Sequence, residues 1–215
     1  MQVVFRSFQI GKTMRATLAV ALLALSVNAY SASKVIVVLG DSLSAEYGLQ
    51  RGEGWVQLMQ QRMAAEKIQG TIVNASISGE TTSGGRARLQ GLLERHKPDV
   101  VVVELGGNDA LRGLPLSSTR DNLLNMVKSA QAVKAKVLLV GMQIPPNYGG
   151  DYTRQFAAVF PAVAKETGAA LVPFMLKGVA EKPELFQPDR IHPAPAAHPI
   201  ILDNIWPRIK PLIAK

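Results

Sequence analysis

A serine, an aspartate and a histidine in this chain have the types and the placement that acyl transfer needs. Ser42 follows an apolar run at 35–39 and Gly40. A free serine hydroxyl is a poor nucleophile and needs a neighbouring base. His192 is the candidate base, because an imidazole ordinarily titrates near ~6.5 and can accept and return a proton around neutrality. Asp189 stands three residues before it, in DRIH, where a carboxylate can orient the ring and stabilise its protonated form. The oxyanion of such a reaction needs preorganised donors. The backbone N–H groups of Ser42 and Gly79 and the side-chain amide of Asn108 would supply three, each typically worth ~3 kcal/mol of barrier.

Every part also has a plain alternative. Ser42 can simply cap a helix. Gly106, Gly107, Asn108 and Asp109 have the composition of an ordinary turn. His192 can be a loop histidine, and an aspartate three residues earlier can be coincidence. His96 is expected to end a helix as a favourable cation, and His198 to be surface or packing. Asp41 and Asp109 are expected to hold turns rather than react.

The elements around these residues decide between the alternatives. Continuous apolar runs at 35–39 and 99–105 suit strands covered on both faces, with further strands at 71–75, 136–142 and 169–174. Helical spacing is expected at 53–67, 86–96, from Ser117 or Ser118 to 133, at 151–167 with a bend at Pro161, and at 196–212, where Pro207 should bend or end the helix early. Residues 76–85 form a polar, glycine-bearing turn, and 111–116, 143–150 and 175–192 are loops. Strands alternating with helices predict an α/β fold, a doubly wound, mostly parallel five-stranded sheet in three α/β/α layers. Ser42, Gly79, Asn108 and His192 then all fall at the carboxyl ends of strands, where such sheets bind their ligands.

Composition narrows the function classes. The chain has 215 residues, 47% hydrophobic and only 19% charged, enough for one full core and too apolar for a disordered chain. Of the net charge of +8, Arg6, Lys12 and Arg15 fall in residues 1–29, which hold no acid; 21 basic and 16 acidic side chains remain. They are spread out, with no basic block of the kind nucleic-acid binding needs. The N-terminus has the pattern of a secretory signal: a basic region, an apolar stretch at 16–27 too short to span a bilayer comfortably, then small residues. A signal over 1–31, cleaved after Ala29, Ser31 or Ala32, and a domain over 32–215 are expected; Met14 is a second candidate start, and an uncleaved membrane anchor is the alternative. The chain has no cysteine, so no disulfide, thiol nucleophile or thiolate metal site is available.

Four segments together carry a resemblance. GDSLS at Ser42, SISGETT at Gly79, GGND at Asn108 and DRIHP at His192 are similar to the four blocks of the SGNH, or GDSL-type, hydrolase family. LGGNDALRGL, GMQIPPNYG, FPAVAKETG and LVPF resemble the connecting segments of its bacterial thioesterase I, lysophospholipase and arylesterase branch, so the likeness covers the chain from Lys34 to about Ile213. The resemblance implies a flavodoxin-like three-layer fold and a serine hydrolase of esters and thioesters. It implies the triad Ser42, Asp189 and His192, an oxyanion hole of Ser42, Gly79 and Asn108, no metal or cofactor, and a periplasmic or secreted location. Ala110 stands where a glycine is common in the branch, and QIPPNYGG is shorter than in its best-known relatives. Leu111, Leu114, Leu116, Ile144, Pro145 and Phe174 are candidate linings of an acyl groove. The expected partners are a small ester or a lipid, with transient membrane-lipid contact, no nucleic acid, and a monomeric chain. A polysaccharide O-deacetylase of the same fold and an inactive acyl-binding protein are the rival functions. Two tryptophans, both on expected helices, give the first little support, and retention of all five reacting positions opposes the second.

Overall fold

Valine-rich runs make the sheet. A computed structural model describes residues 1–3 and 33–214; the expected signal segment lies outside the described fold, which begins at Ser33. The strands are β1 (Lys34–Gly40), β2 (Gly70–Asn74), β3 (Val100–Glu104), β4 (Lys136–Val140) and β5 (Ala170–Val172). They pair in the order β2-β1-β3-β4-β5, every pair parallel. Val100 to Val103 are completely buried, as are Ile36 to Leu39. Branched side chains suit a pleated strand covered on both faces, and each one fully buried stabilises the fold by roughly 1.5–3 kcal/mol.

The helices form the outer layers. α1 (Trp55–Ala65) and α6 (His198–Ile213) pack together on one face, and α2 (Thr82–His96), α4 (Leu116–Ala132) and α5 (Gly150–Thr167) on the other, with a short α3 (Gly107–Leu111) at the rim. Because β1 lies between β2 and β3, the chain winds one way from β1 and the other way from β3. The crevice between their carboxyl ends is therefore the topological switch point of the sheet.

Several boundaries differ from the sequence expectation. Residues 42–48 coil as successive turns rather than opening a helix, because Glu46 and Gly48 both take positive φ and interrupt it. α2 begins at Thr82, four residues early, with Thr81 as its cap. Of its three glycines, Gly85 is there for packing: a Cβ on it would lie 2.3 Å from Leu105 Cδ1, so only glycine lets the helix approach the end of β3 this closely. Residues 107–111 are a helical turn, not a plain loop, and α4 starts at Leu116 after Pro115 instead of being capped by Ser117 or Ser118. α6 runs through Pro207 to Ile213. The lost backbone hydrogen bond is outweighed by burial of Ile201, Leu202, Ile205, Trp206, Ile209 and Ile213 on its inner side.

Candidate active site

β1 delivers Ser42 to the switch point. Asp41 Oδ1 accepts from Leu43 N at 3.0 Å, and Asp41 O accepts from Ala45 N at 3.0 Å, so the turn beyond the strand is held at both ends. The β2–α2 loop is pinned beside it: Ile77 N donates to Gly40 O at 3.0 Å and Asn74 Nδ2 to Ser44 O at 2.7 Å. In that loop Gly79 has φ +79°, a left-handed conformation that glycine adopts without strain, and its carbonyl accepts from Arg112 Nη2 at 2.9 Å. Among the described residues, no acceptor takes the backbone N–H of Ser42 or of Gly79.

β3 delivers Asn108. The tight turn at Gly106, φ +119°, starts α3 and turns the Asn108 amide back toward β1, where Nδ2 donates to Asp41 Oδ2 at 3.0 Å. An amide nitrogen carries two hydrogens, so one is anchored and one remains to donate. Asp109 points the other way. It accepts from Thr82 N at 2.9 Å and from the Thr82 and Thr119 hydroxyls, tying α3 to the starts of α2 and α4.

The loop between β5 and α6 brings the histidine. Its base is closed by Gln187 N donating to His192 O and Ala194 N to Leu185 O, both at 2.8 Å. Asp189 Oδ1 accepts from the backbone of Ile191 and His192 at 2.9 and 3.0 Å, and its Oδ2 lies 2.7 Å from His192 Nδ1. With Nδ1–H donating to Asp189, Nε2 is free to accept, and it lies 2.9 Å from Ser42 Oγ across 150 residues of chain. The N–H groups and ring of His192 and the N–H of Ile191 hold the Asp189 carboxyl down at about 2, against the opposing effect of its partial burial. Asp189 thus stays ionised at neutral pH. His198, expected at the surface or in packing, is buried: its Nδ1 accepts from Trp55 N at 3.1 Å, and burial lowers its pKa so that the ring is neutral there.

The apolar candidates are dispersed in exposure. Leu114 and Pro145 are exposed, Leu111 and Leu116 are half-buried, as is Phe174, and Ile144 is buried in the core. Ala110 is fully buried in α3. Among the described residues no group of three or more His, Asp or Glu side chains is placed to hold a metal ion.

Five residues at the site went unnoticed in the sequence. Tyr47 lays its ring against His192, centroids 4.3 Å apart. Gln187 Nε2 donates to Tyr47 O at 2.8 Å and to Pro193 O at 3.1 Å, tying the histidine loop to the serine turn. Gly48 makes that tie possible, since a Cβ there would fall 2.1 Å from Gln187 Oε1. Ser44 and Glu104 form a buried pair behind Asp41, the Ser44 hydroxyl donating to Glu104 Oε2 at 2.7 Å. Only Glu104 left a trace in the sequence, as the one acid inside an apolar run.

The profile described as GDSL-like Lipase/Acylhydrolase family matches residues 38–200, from the middle of β1 into α6. The chain belongs to that family. Among its relatives, Esterase TesA of Pseudomonas aeruginosa is 50% identical over 183 residues, 85% of this chain and 91% of that protein. Thioesterase 1/protease 1/lysophospholipase L1 of Escherichia coli is 39% identical over 183 residues, 85% of this chain and 86% of that one. The crystal structure of psychrotrophic esterase EstA from Pseudoalteromonas sp., inhibited by monoethylphosphonate, shares the fold with a TM-score of 0.80 at 43% identity, covering 85% of this chain and 100% of that chain. The GDSL-like family thus takes in both the serine turn and the α3 corner, the two strand ends that meet at the switch point.

Proposed function

We propose that this chain hydrolyses carboxylic esters and thioesters through an acyl-serine intermediate. The contact that carries the proposal is the 2.9 Å approach of His192 Nε2 to Ser42 Oγ, with Asp189 on the opposite ring nitrogen. His192 takes the Ser42 proton as Oγ bonds to the carbonyl carbon. The Ser42 and Gly79 N–H groups and the free Asn108 amide hydrogen stabilise the oxyanion. Collapse breaks the ester or thioester bond, and the leaving oxygen or sulfur departs with the proton from His192. Water then adds to the acyl-serine by the same proton route and frees the acid. The relatives' names, an esterase and a thioesterase/lysophospholipase, support this class of bond, and the phosphonate-inhibited EstA supports a nucleophile that phosphonates reach. Ser42→Ala is expected to lose at least ~10⁴-fold in kcat while melting like the parent protein, and an organophosphate to label Ser42 one to one. Near-native turnover by that variant would overturn the assignment.

Aryl esters, short to medium acyl chains and lysophospholipids are the proposed substrates. Leu111, Leu114 and Pro145, from the segments that follow β3 and β4, form the acyl-binding side, while Ile144, expected there too, is buried in the core. A p-nitrophenyl ester series of increasing chain length checks this, with Leu114→Ser expected to weaken long chains more than acetate. Transient lipid contact has one supporting observation: Tyr47, Ile77, Leu114, Tyr148 and Ile191, exposed large apolar side chains, lie one on each of the five loops at the sheet's carboxyl edge. Cosedimentation with phosphatidylcholine vesicles is expected to weaken when Ile77 and Ile191 become serine. Export is proposed from the N-terminal pattern and is checked by fractionating expressing cells. Light scattering checks the proposed monomer.

A further inference from the structure

Behind the serine turn lies a pair of acids that the reaction above does not use. Glu104 is the last residue of β3, in register with Gly40 of β1, and only 2% exposed. Its Oε2 accepts from the Ser44 hydroxyl at 2.7 Å and lies 3.4 Å from Asp41 N. Room for it depends on Gly40, where a Cβ would stand 2.9 Å from Glu104 Oε2 and 2.8 Å from Ser44 Oγ. Asp41, 3% exposed, is next to it and carries the Asn108 amide on Oδ2. The charged or titratable groups facing the two carboxyls are each other and, on the Asp41 side, His192; neither forms a salt bridge with a lysine or arginine among the described residues. Two adjacent buried carboxyls with no cation between them cannot both ionise at neutral pH.

We propose that Glu104 is a positioning residue for the oxyanion hole: its buried carboxyl holds the Asp41 carboxylate, and through it the Asn108 amide, in line with Ser42. The proton sits on Glu104. Burial raises its pKa well above the ordinary carboxylate range, the Asp41 charge raises it further, and a hydrogen bond from Glu104 to Asp41 favours the protonated acid against the Ser44 hydroxyl. Burial lifts Asp41 to about 6, while the Leu43 N–H, the Asn108 amide, His192 and Glu104 all favour its charged form. At pH 7 the pair therefore carries one negative charge, on the carboxyl that anchors Asn108. Ionised Glu104 would instead repel Asp41 and loosen the donor. The inference rests on the acyl-serine reading, in which Asn108 meets the oxyanion.

Three substitutions test it, each followed by thermal melting and by kcat and KM on an aryl ester. Glu104→Gln can still donate to Asp41 and accept from Ser44; it is expected to keep kcat within about threefold. Glu104→Leu removes both bonds and is expected to lower kcat about a hundredfold with KM within about threefold, because a misplaced oxyanion donor costs the transition state and not substrate binding. Should the leucine variant fail to fold, Glu104→Asp decides, since its shorter side chain keeps a buried acid but withdraws it from Asp41; kcat should fall about tenfold at constant KM. A filler of space would shift melting alone. Native kcat in folded Glu104→Leu or in Glu104→Asp, or a glutamine variant as slow as either, would sink the proposal. Failure of the underlying reading looks different, because Ser42→Ala would then remain active whatever stands at position 104.

Discussion

Two aspartates flank the contact between Ser42 and His192, and the protein treats them in opposite ways. Asp41 lies under the serine turn, 3% exposed, and burial lifts its carboxyl to about 6. The Asp189 side chain is 38% exposed on the β5–α6 loop, and the N–H groups and ring it accepts from hold it at about 2. One residue type thus acquires two roles from two environments. The buried aspartate belongs to a half of the site built on β1 and β3, where Glu104, Ser44 and Asn108 leave it little freedom. The exposed one belongs to a half carried by a long loop, held by its own turn bonds and by Gln187 across to Tyr47. Anion stabilisation depends on fixed donors, and on the proposed mechanism those donors sit on the sheet. Proton shuttling needs a ring that can respond to its partner, and a closed loop suffices.

The contrast can be broken most strongly at Asp189. Asp189→Asn leaves the turn but offers the ring an amide in place of a carboxylate, so the imidazolium loses its counter-charge; kcat should fall by roughly 10⁴-fold, as such a triad change shows. Rates on one aryl ester check this. Asn108→Ala removes a donor from the rigid half and should cost about 10²-fold in kcat with little change in KM. Equal sensitivity of KM would mean that Asn108 binds the ester rather than its transition state.

A smaller effect sharpens the comparison through stability. Asp189 has a folded pKa below its ordinary 3.8, so its contribution is present above about pH 4 and is lost as pH falls toward 2. Asp41 has the opposite sign: its folded pKa exceeds 3.8, so stability held at low pH is lost as pH rises from about 4 to 6. Between pH 4 and 6 Asp41→Asn should gain melting temperature relative to the parent protein. Asp189→Asn should show its relative loss between pH 2 and 4, and the smaller one, since solvent screens an exposed carboxylate. Melting curves at half-unit pH steps check both signs. The smallest expected effect is at Gln187→Ala, which should lower kcat a few-fold by freeing the histidine loop from the serine turn.

Some of this was legible in order of residues alone. Unbroken valine-rich runs suit strands covered on both faces, and their alternation with helical spacing leaves few topologies besides a parallel sheet with covered faces. The four segments resembling a known family marked Ser42, Gly79, Asn108 and His192, because short polar motifs at strand ends are local in the chain. Where local signals conflict with packing, they fail. Pro207 should bend or end α6 early, yet the helix continues to Ile213, because its apolar side is worth more than one hydrogen bond. Gly84 and Gly85 suggested a turn, yet both lie inside α2, where Gly85 packs closely against Leu105.

From its sequence the protein's fold class, its family and the chemical types at the site could be derived, since hydrophobic pattern and local motifs act over a few residues. Only the tertiary structure decided that Glu104 and Asp41 share one buried space, that Tyr47 covers His192, and that a hydroxyl and an imidazole 150 positions apart stand 2.9 Å from each other. Desolvation, charge and contact depend on distances through space, and chain order does not record them until the strands have paired.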